Sequence, residues 1–357
     1  MNKSNKSYLV VGGCGFLGRY IVESLLARGE KNVSVFDIRQ SFEDSRVKFH
    51  IGDIRKKEDL LKACEGVTTV FHTASPTHGM GYDIYYSVNV VGTEKLVEAC
   101  VESQVKQLIY TSSSSVVFNG EDIDGGDETL PYVQHHIDPY NKTKELGEKS
   151  VISRNGKNGL LTCSLRPAGI FGPREVQGWP QYLKAAKEGK NKFMFGSGQN
   201  RCDWTYIDNV VHAHILAADK MVDGSKIPGS IYFITNDEPI NFWEMPLYAY
   251  EAFGYDKPSL RIPYPIMYAI AWIIDTIVML LSPFVKIHPT ITLFRIVYSS
   301  STRVFNIQKA KDELSYRPIV SIKEGMERTK NWFLANYPQF IRKSSTKQEQ
   351  VENKKSN

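Results

Sequence analysis

The stretch VVGGCGFLG, Val10 to Gly18, constrains this chain more than any other. A short β-branched run breaks on glycines, and an amphipathic stretch begins at once. Gly12, Gly15 and Gly18 stand at a G-x-x-G-x-x-G spacing. Between a strand and a helix, the first glycine permits the tight turn and the second lets a pyrophosphate approach the backbone. The third lets the helix pack close to the strand. Phosphates would then rest on the amides and positive dipole end of a helix opening at Phe16 and Leu17. Asp37 follows about 20 residues on, where a carboxylate accepts from ribose hydroxyls and repels a 2′-phosphate. That favours NAD over NADP, although Arg39 could swing toward a phosphate. In GDI, Gly52 to Ile54, Asp53 could meet the adenine amino group, with Ile54 beside it.

The glycine turn opens an alternation that runs to residue 170. Strand-like runs at Tyr8–Val11, Val33–Phe36, Val47–Ile51, Thr69–His72, Leu108–Thr111 and Leu161–Leu165 are separated by amphipathic stretches such as FLGRYIVESLLARG, KKEDLLKACEG and NVVGTEKLVEACVES. Alternation with continuous apolar strands predicts an α/β fold, a Rossmann-type doubly wound parallel sheet with helices on both faces. Residues 7–170 would form this NAD-binding core. Residues 171–340 lose the alternation and carry their own strand, SIYFIT, and helix, NFWEMPLYAYEAFG. They read as a smaller mixed substrate lobe, interleaved with the core and unable to fold alone. Residues 341–357 contain the polar run KSSTKQEQVENKKSN, which lacks periodicity and is expected to be disordered.

Bulk properties exclude several classes of function. A net charge of +5 over 357 residues is small, and no dense basic stripe lies outside the tail, so nucleic acid is not a partner. The five cysteines, Cys14, Cys64, Cys100, Cys163 and Cys202, are scattered and odd in number, which fits reduced thiols and neither a disulfide framework nor a zinc site. The histidines show no ligand spacing, and no metal is expected. The opening MNKSNKSYLVVGGCG reads as a first buried strand and not as a signal peptide.

Chemistry enters at YNKTK, Tyr140 to Lys144. On a helix, residues four apart share a face, so the phenol and the ammonium can address one space. A protonated lysine there would favour the phenolate and pull the tyrosine pKa down. The serine run in LIYTSSSS, Leu108 to Ser115, follows a strand and projects into the crevice where open parallel sheets bind ligands.

These motifs occur together and in order: the glycine turn, Asp37, HTAS (His72–Ser75), NVVGT (Asn89–Thr93), YTSS, Tyr140-x-x-x-Lys144 and RPAGIFGP. In this the chain resembles the extended short-chain dehydrogenases/reductases over residues 7–335. Within them it resembles the 3β-hydroxysteroid dehydrogenase branch, through LIYTSSSSVVFNG, YNKTKELGE, LRPAGIFGP and DWTYIDNVVHAHILA. The resemblance implies that Tyr140 is the proton acceptor. Lys144 would lower its pKa and hold the nicotinamide ribose, and Ser113, with Ser114 as the alternative register, would position the substrate oxygen. It further implies that Thr73, Ala74, Pro167 and Ile170 lie along the cofactor. The substrate class it implies is a sterol, oxidised at a 3β-hydroxyl with loss of a 4α-carboxylate, and a homodimer is usual in the family. Competing readings are a 3β-hydroxysteroid dehydrogenase/isomerase, a sugar-nucleotide epimerase, and an NAD-sensing regulator without chemistry. Arg174 and Arg201 are candidates to meet the substrate carboxylate, each with an alternative role as a structural ion-pair partner.

The longest apolar run, residues 262–285, would cover a hydrocarbon core of about 30 Å. Asp275 near its centre and prolines at both ends oppose a simple crossing. The segment after it resembles the closing part of the same lobe, so both flanks belong to one body. A hairpin or interfacial anchor is the expectation, with a buried core helix and, behind it, a single span as the alternatives. The final KKSN resembles a dilysine retrieval signal, and together these features point to the cytosolic face of the endoplasmic reticulum membrane or to lipid droplets.

Overall fold

The computed structural model describes residues 6–281, 284–285, 289 and 291–342. The terminal KKSN and nearly all of the 341–357 tail lie outside the described residues. Arg342, at its start, still donates its backbone amide to the Phe253 carbonyl at 3.0 Å.

Seven parallel strands form the central sheet, in the order Ile231–Ile234, Leu161–Pro167, Gln107–Thr111, Thr69–His72, Tyr8–Val11, Val33–Asp37 and Val47–Ile51. Six of these match the sequence expectation to within two residues, because each is a continuous apolar run between turn signals. The seventh comes from SIYFIT, so the sheet draws its edge strand from beyond residue 170. Helix Ile207–Lys220, also from beyond that point, packs on helix Phe16–Ala27 and covers the same face.

Side chains alternate between two cores. Tyr8 and Val10 enter one, with Ile109, Leu165 and Phe233, while Leu9 and Val11 enter the other, with Phe36, Val70 and Tyr110. The order of strands reverses between Tyr8–Val11 and Thr69–His72, and the crevice beyond their carboxyl ends is the place where sheets of this kind bind ligands. Smaller sheets lie beside it. One joins Ile240–Asn241, Arg201–Cys202, Arg303–Phe305 and Ile123–Gly126, and parallel pairs join Trp204–Tyr206 to Gly169–Phe171 and Leu260–Ile262 to Phe193–Phe195.

The stretch NVVGTEKLVEACVES does not form one α-helix. Tyr86–Gly92 is a π-helical turn, and the α-helix runs Thr93–Glu102. Gly92 lies against Ile54, whose methyl would stand 2.7 Å from an added Cβ.

The apolar run forms the helix Tyr264–Leu281, long and apolar enough to cross a membrane, yet only Met267 and Ala271 are buried. They pack on Ile296 and Leu293 of the neighbouring segment, while Trp272 is 55% and Met279 65% exposed. The buried-core alternative therefore does not hold. Asp275 accepts the backbone N–H of Leu293 at 2.8 Å, at the start of helix Leu293–Ser300, so its charge meets protein. The strand before the apolar helix and the Arg303–Phe305 strand after it are both paired within the same body.

Gly18 sits where helix Phe16–Ala27 crosses the first strand, and a Cβ there would stand 2.2 Å from the Gly12 carbonyl oxygen. The obstacle is backbone and cannot step aside. Gly18→Ala should cost about 1–3 kcal/mol of stability or more, the range for overpacking. A urea unfolding midpoint equal to wild type would contradict this.

Candidate active site

Gly12 adopts φ +82°, and a Cβ on it would meet the Ala74 backbone nitrogen at 2.6 Å. Only glycine satisfies both the left-handed turn and this contact. Thr73 locks the far side, its amide and hydroxyl donating to the Val11 carbonyl at 2.9 and 3.0 Å. Gly15 caps helix Phe16–Ala27 with extended backbone, without a side-chain cap and without an acidic residue in the first turn. The helix thus presents unblocked amides and its positive end toward the switch point, which is what a diphosphate requires. Asp37 accepts from the amides of Cys14 at 3.0 Å and Ile38 at 2.8 Å, so the strand end and the glycine turn are one unit. These residues could hold a dinucleotide. Beside them, the Asp53 carboxylate is bound by the Arg55 guanidinium, and Ile54 is buried in the core beneath Gly92.

Tyr140 and Lys144 lie on helix Pro139–Ile152. Asp138 caps it by accepting from the Tyr140 amide at 2.8 Å, and Pro139 occupies its first position, where the missing N–H costs nothing. Asn89 of the π-turn donates to Thr143 Oγ1 at 3.1 Å and accepts from Ser75 at 2.9 Å, tying HTAS, NVVGT and YNKTK together. At Gly147 the helix approaches that turn so closely that a Cβ would stand 2.5 Å from the Asn89 carbonyl.

Lys144 is buried. Its Nζ donates to the Thr111 carbonyl at 2.5 Å and lies 4.2 Å from the centroid of the Tyr110 ring. Burial pushes its pKa down to about 7, opposed by Glu148 one turn on. Glu148 is itself taken by Arg166, Ser164 and Tyr132, at 2.7, 2.7 and 2.8 Å. Tyr140 packs against His78, with ring centroids 4.3 Å apart, and Tyr85, at 5.7 Å. The expected pull of Lys144 on the phenol is not what the protein alone shows. Desolvation, then Tyr85 and Asp138, raise the Tyr140 pKa, and among the described residues no hydrogen bond joins the two side chains. The lysine head turns to the strand carbonyl instead.

Ser113 is extended and caps the short turn Ser114–Val117, its hydroxyl accepting from the Ser115 amide at 3.2 Å and lying 2.7 Å from Ser115 Oγ. Ser114 is buried, whereas Ser113 is half-buried. Pro167 ends its strand beside Ile234, and Ile170 pairs with Thr205. Arg174 and Arg201 stand in ion pairs, with Glu23 at 2.7 Å and Asp124 at 3.0 Å. His78, Tyr85 and Tyr298 carry no motif, and the sequence reading missed them. Asn89 lay in NVVGT, where its role as a brace was legible only once the π-turn was seen.

The arrangement of glycine turn, strand-end serines and Tyr-x-x-x-Lys helix is matched by one family profile, over residues 9–264. The chain belongs to the 3-beta hydroxysteroid dehydrogenase/isomerase family. In that family it is 44% identical to a mouse sterol-4-alpha-carboxylate 3-dehydrogenase, decarboxylating, over 91% of this chain and 90% of the relative. It is 38% identical to the Candida albicans protein of the same description, over 93% and 99%. Among solved structures, the UDP-glucuronic acid 4-epimerase of Bacillus cereus in complex with NAD superposes with a TM-score of 0.71 at 22% identity, over 93% of this chain and 99% of that one. That likeness is one of fold.

A lysine buried without a carboxylate of its own burdens this family member in a pH-dependent way. The unfolded chain holds its proton to higher pH than the folded one, so the penalty is full below about pH 7 and fades as the pH rises toward the ordinary lysine range. Lys144→Met should raise the melting temperature of the ligand-free protein at about pH 6, and the gain should shrink by about pH 10. Scanning calorimetry across that range checks the sign; a gain that grows with pH would refute it.

Proposed function

We propose that this chain oxidises the 3β-hydroxyl of a 4α-carboxysterol to the ketone with NAD as acceptor and releases the carboxylate as carbon dioxide, the reaction named for its mouse and Candida relatives. One juxtaposition supports this above the rest. Lys144 is bonded to the end of the strand that carries the serines, and Tyr140 stands one helical turn before it. The cradle of Gly12, Gly15, Phe16, Leu17 and Gly18, with Asp37 at the ribose position and Thr73 and Ala74 opposite, suits NAD. Pro167 and Ile170 would line the nicotinamide end.

When bound, NAD supplies the hydride acceptor and a positive charge that favours the phenolate. Tyr140 takes the proton from the sterol hydroxyl, Ser113 holds that oxygen, and Lys144 adds a second positive charge beside the strand end. Oxidation leaves a ketone β to the carboxylate. The bond to the carboxyl carbon then breaks, its electron pair moves into the enolate, and hydrogen bonds from Ser113 and the now neutral Tyr140 stabilise the oxygen. A preorganised donor of this kind contributes about 2.7–4 kcal/mol.

A sterol dissolved in lipid suits the exposed helix Tyr264–Leu281. With Asp275 turned inward to Leu293, its outer face can lie in a membrane surface without crossing it. We place the chain on the cytosolic face of the endoplasmic reticulum membrane, with lipid droplets as a second surface of the same chemistry. A sugar-nucleotide epimerase has no use for this face.

Tyr140→Phe should lower kcat by about 10²–10⁴, the range for general acid–base catalysis. NAD affinity, followed by titration, should stay near wild type, and wild-type NADH formation from a 4α-carboxysterol in the variant would sink the assignment. Replacing Trp272, Ile273, Met279 and Leu280 together by serine should leave the protein at the bottom of a flotation gradient in which wild type rises with phosphatidylcholine vesicles. Equal flotation would disprove the anchor.

A further inference from the structure

Ser113 is braced by the residue two places on. The short turn Ser114–Val117 folds back so that the Ser115 amide donates to Ser113 Oγ at 3.2 Å, and the two hydroxyl oxygens stand 2.7 Å apart. The second distance is that of a good O–H···O bond, which one of the two hydroxyls donates. Burial decides which. Ser115 is only 9% exposed, and among the described residues its hydroxyl has no hydrogen-bond partner but Ser113. Were Ser113 the donor, the Ser115 proton would be left in the interior without an acceptor, a cost that buried hydroxyls avoid. With Ser115 donating, only oxygen lone pairs go unmet, which interiors tolerate better than an orphaned donor. Ser113 is half-buried at the strand end, so its own proton can be directed outward into the crevice. The helix Pro139–Ile152, which carries Tyr140, packs on this same turn, so base and serine are held against one another.

We propose that Ser115 is a positioning residue that makes Ser113 an obligate hydrogen-bond donor toward the substrate oxygen. This rests on the function proposed above. A serine oxygen has two lone pairs and one proton. Here the Ser115 amide occupies one lone pair and the Ser115 hydroxyl the other. The Ser113 proton is all that remains for the sterol. Both steps of the reaction use this polarity. Before oxidation, the sterol hydroxyl cannot give its proton to Ser113, so that proton points to Tyr140, the base. After it, the same donor faces first the ketone and then the enolate oxygen as carbon dioxide leaves, with no rotation between the two. A serine without the brace would accept as readily as donate. Part of the bound sterol would then sit with its proton turned away from the phenol.

The test is a double-mutant cycle on the full chain with phosphatidylcholine vesicles, in which NADH formation from a 4α-carboxy-3β-hydroxysterol is followed at saturating NAD. Ser113→Ala, which deletes the donor, should lower kcat by about 10²–10³. Ser115→Ala should lower kcat by about tenfold and leave KM within about twofold, because the donor's direction matters most in the transition state. The double variant should be no slower than Ser113→Ala alone, since without the Ser113 hydroxyl nothing is left to orient. Ser115→Thr keeps the hydroxyl and should recover most of the loss. Losses that multiply in the double variant make Ser115 structural and overturn the assignment. So does a Ser115→Ala enzyme as fast as wild type, or a Ser115→Thr enzyme as slow as Ser115→Ala. Wild type inactive on the carboxysterol overturns the function itself and this inference with it.

Discussion

One hydrogen bond holds the rest of the site in place, the donation from Lys144 Nζ to the Thr111 carbonyl. It joins the helix carrying Tyr140 to the strand whose end carries the serines, across more than thirty residues of chain. The bond forms where water is excluded and fixes the direction of the lysine head, although burial of the ammonium costs more than the bond returns below about pH 7. Glu148, the carboxylate one turn on that could have neutralised the lysine, is committed to Arg166. The helix is therefore pinned twice, by a cation to one strand and by an anion to the next. Lys144 is left with a low pKa and no carboxylate of its own.

That arrangement explains why the resting site holds its phenol protonated. Burial raises Tyr140 and lowers Lys144, so each shift disfavours the charged form. The two groups are poised for a chemistry that needs an added positive charge beside them. The surrounding scaffold keeps both heads in place meanwhile, through Asp138 at the helix start, Asn89 across from Thr143, and the close approach at Gly147.

Much of the core was legible in the linear order of residues. The glycine turn, the six early strands and the Asp37 position follow from local rules, because a turn with φ of +82° or a strand buried on both faces restricts which residues can stand there. The π-turn at Tyr86–Gly92 was not legible, because its apolar spacing reads as ordinary helix. Asp53 has a partner that its place after the third strand did not foretell: Arg55, two residues away, closes on it through a local turn. The apolar run showed its length but not its neighbours. Only Asp275 meeting the Leu293 amide reveals how a charge is accommodated in its middle.

The order of residues alone determined the class of sheet, the dinucleotide turn and the pairing of a phenol with an ammonium on one helix, since each depends on contacts a few residues apart. Tertiary structure decided where those heads point and what surrounds them. Tyr298 stands more than 150 residues from Tyr140 in the chain, and only the packing of helix Leu293–Ser300 on the turn after the serines brings it beside Phe118. No local spacing encodes such a contact, because it is set by how two cores and an exposed apolar helix close on one another.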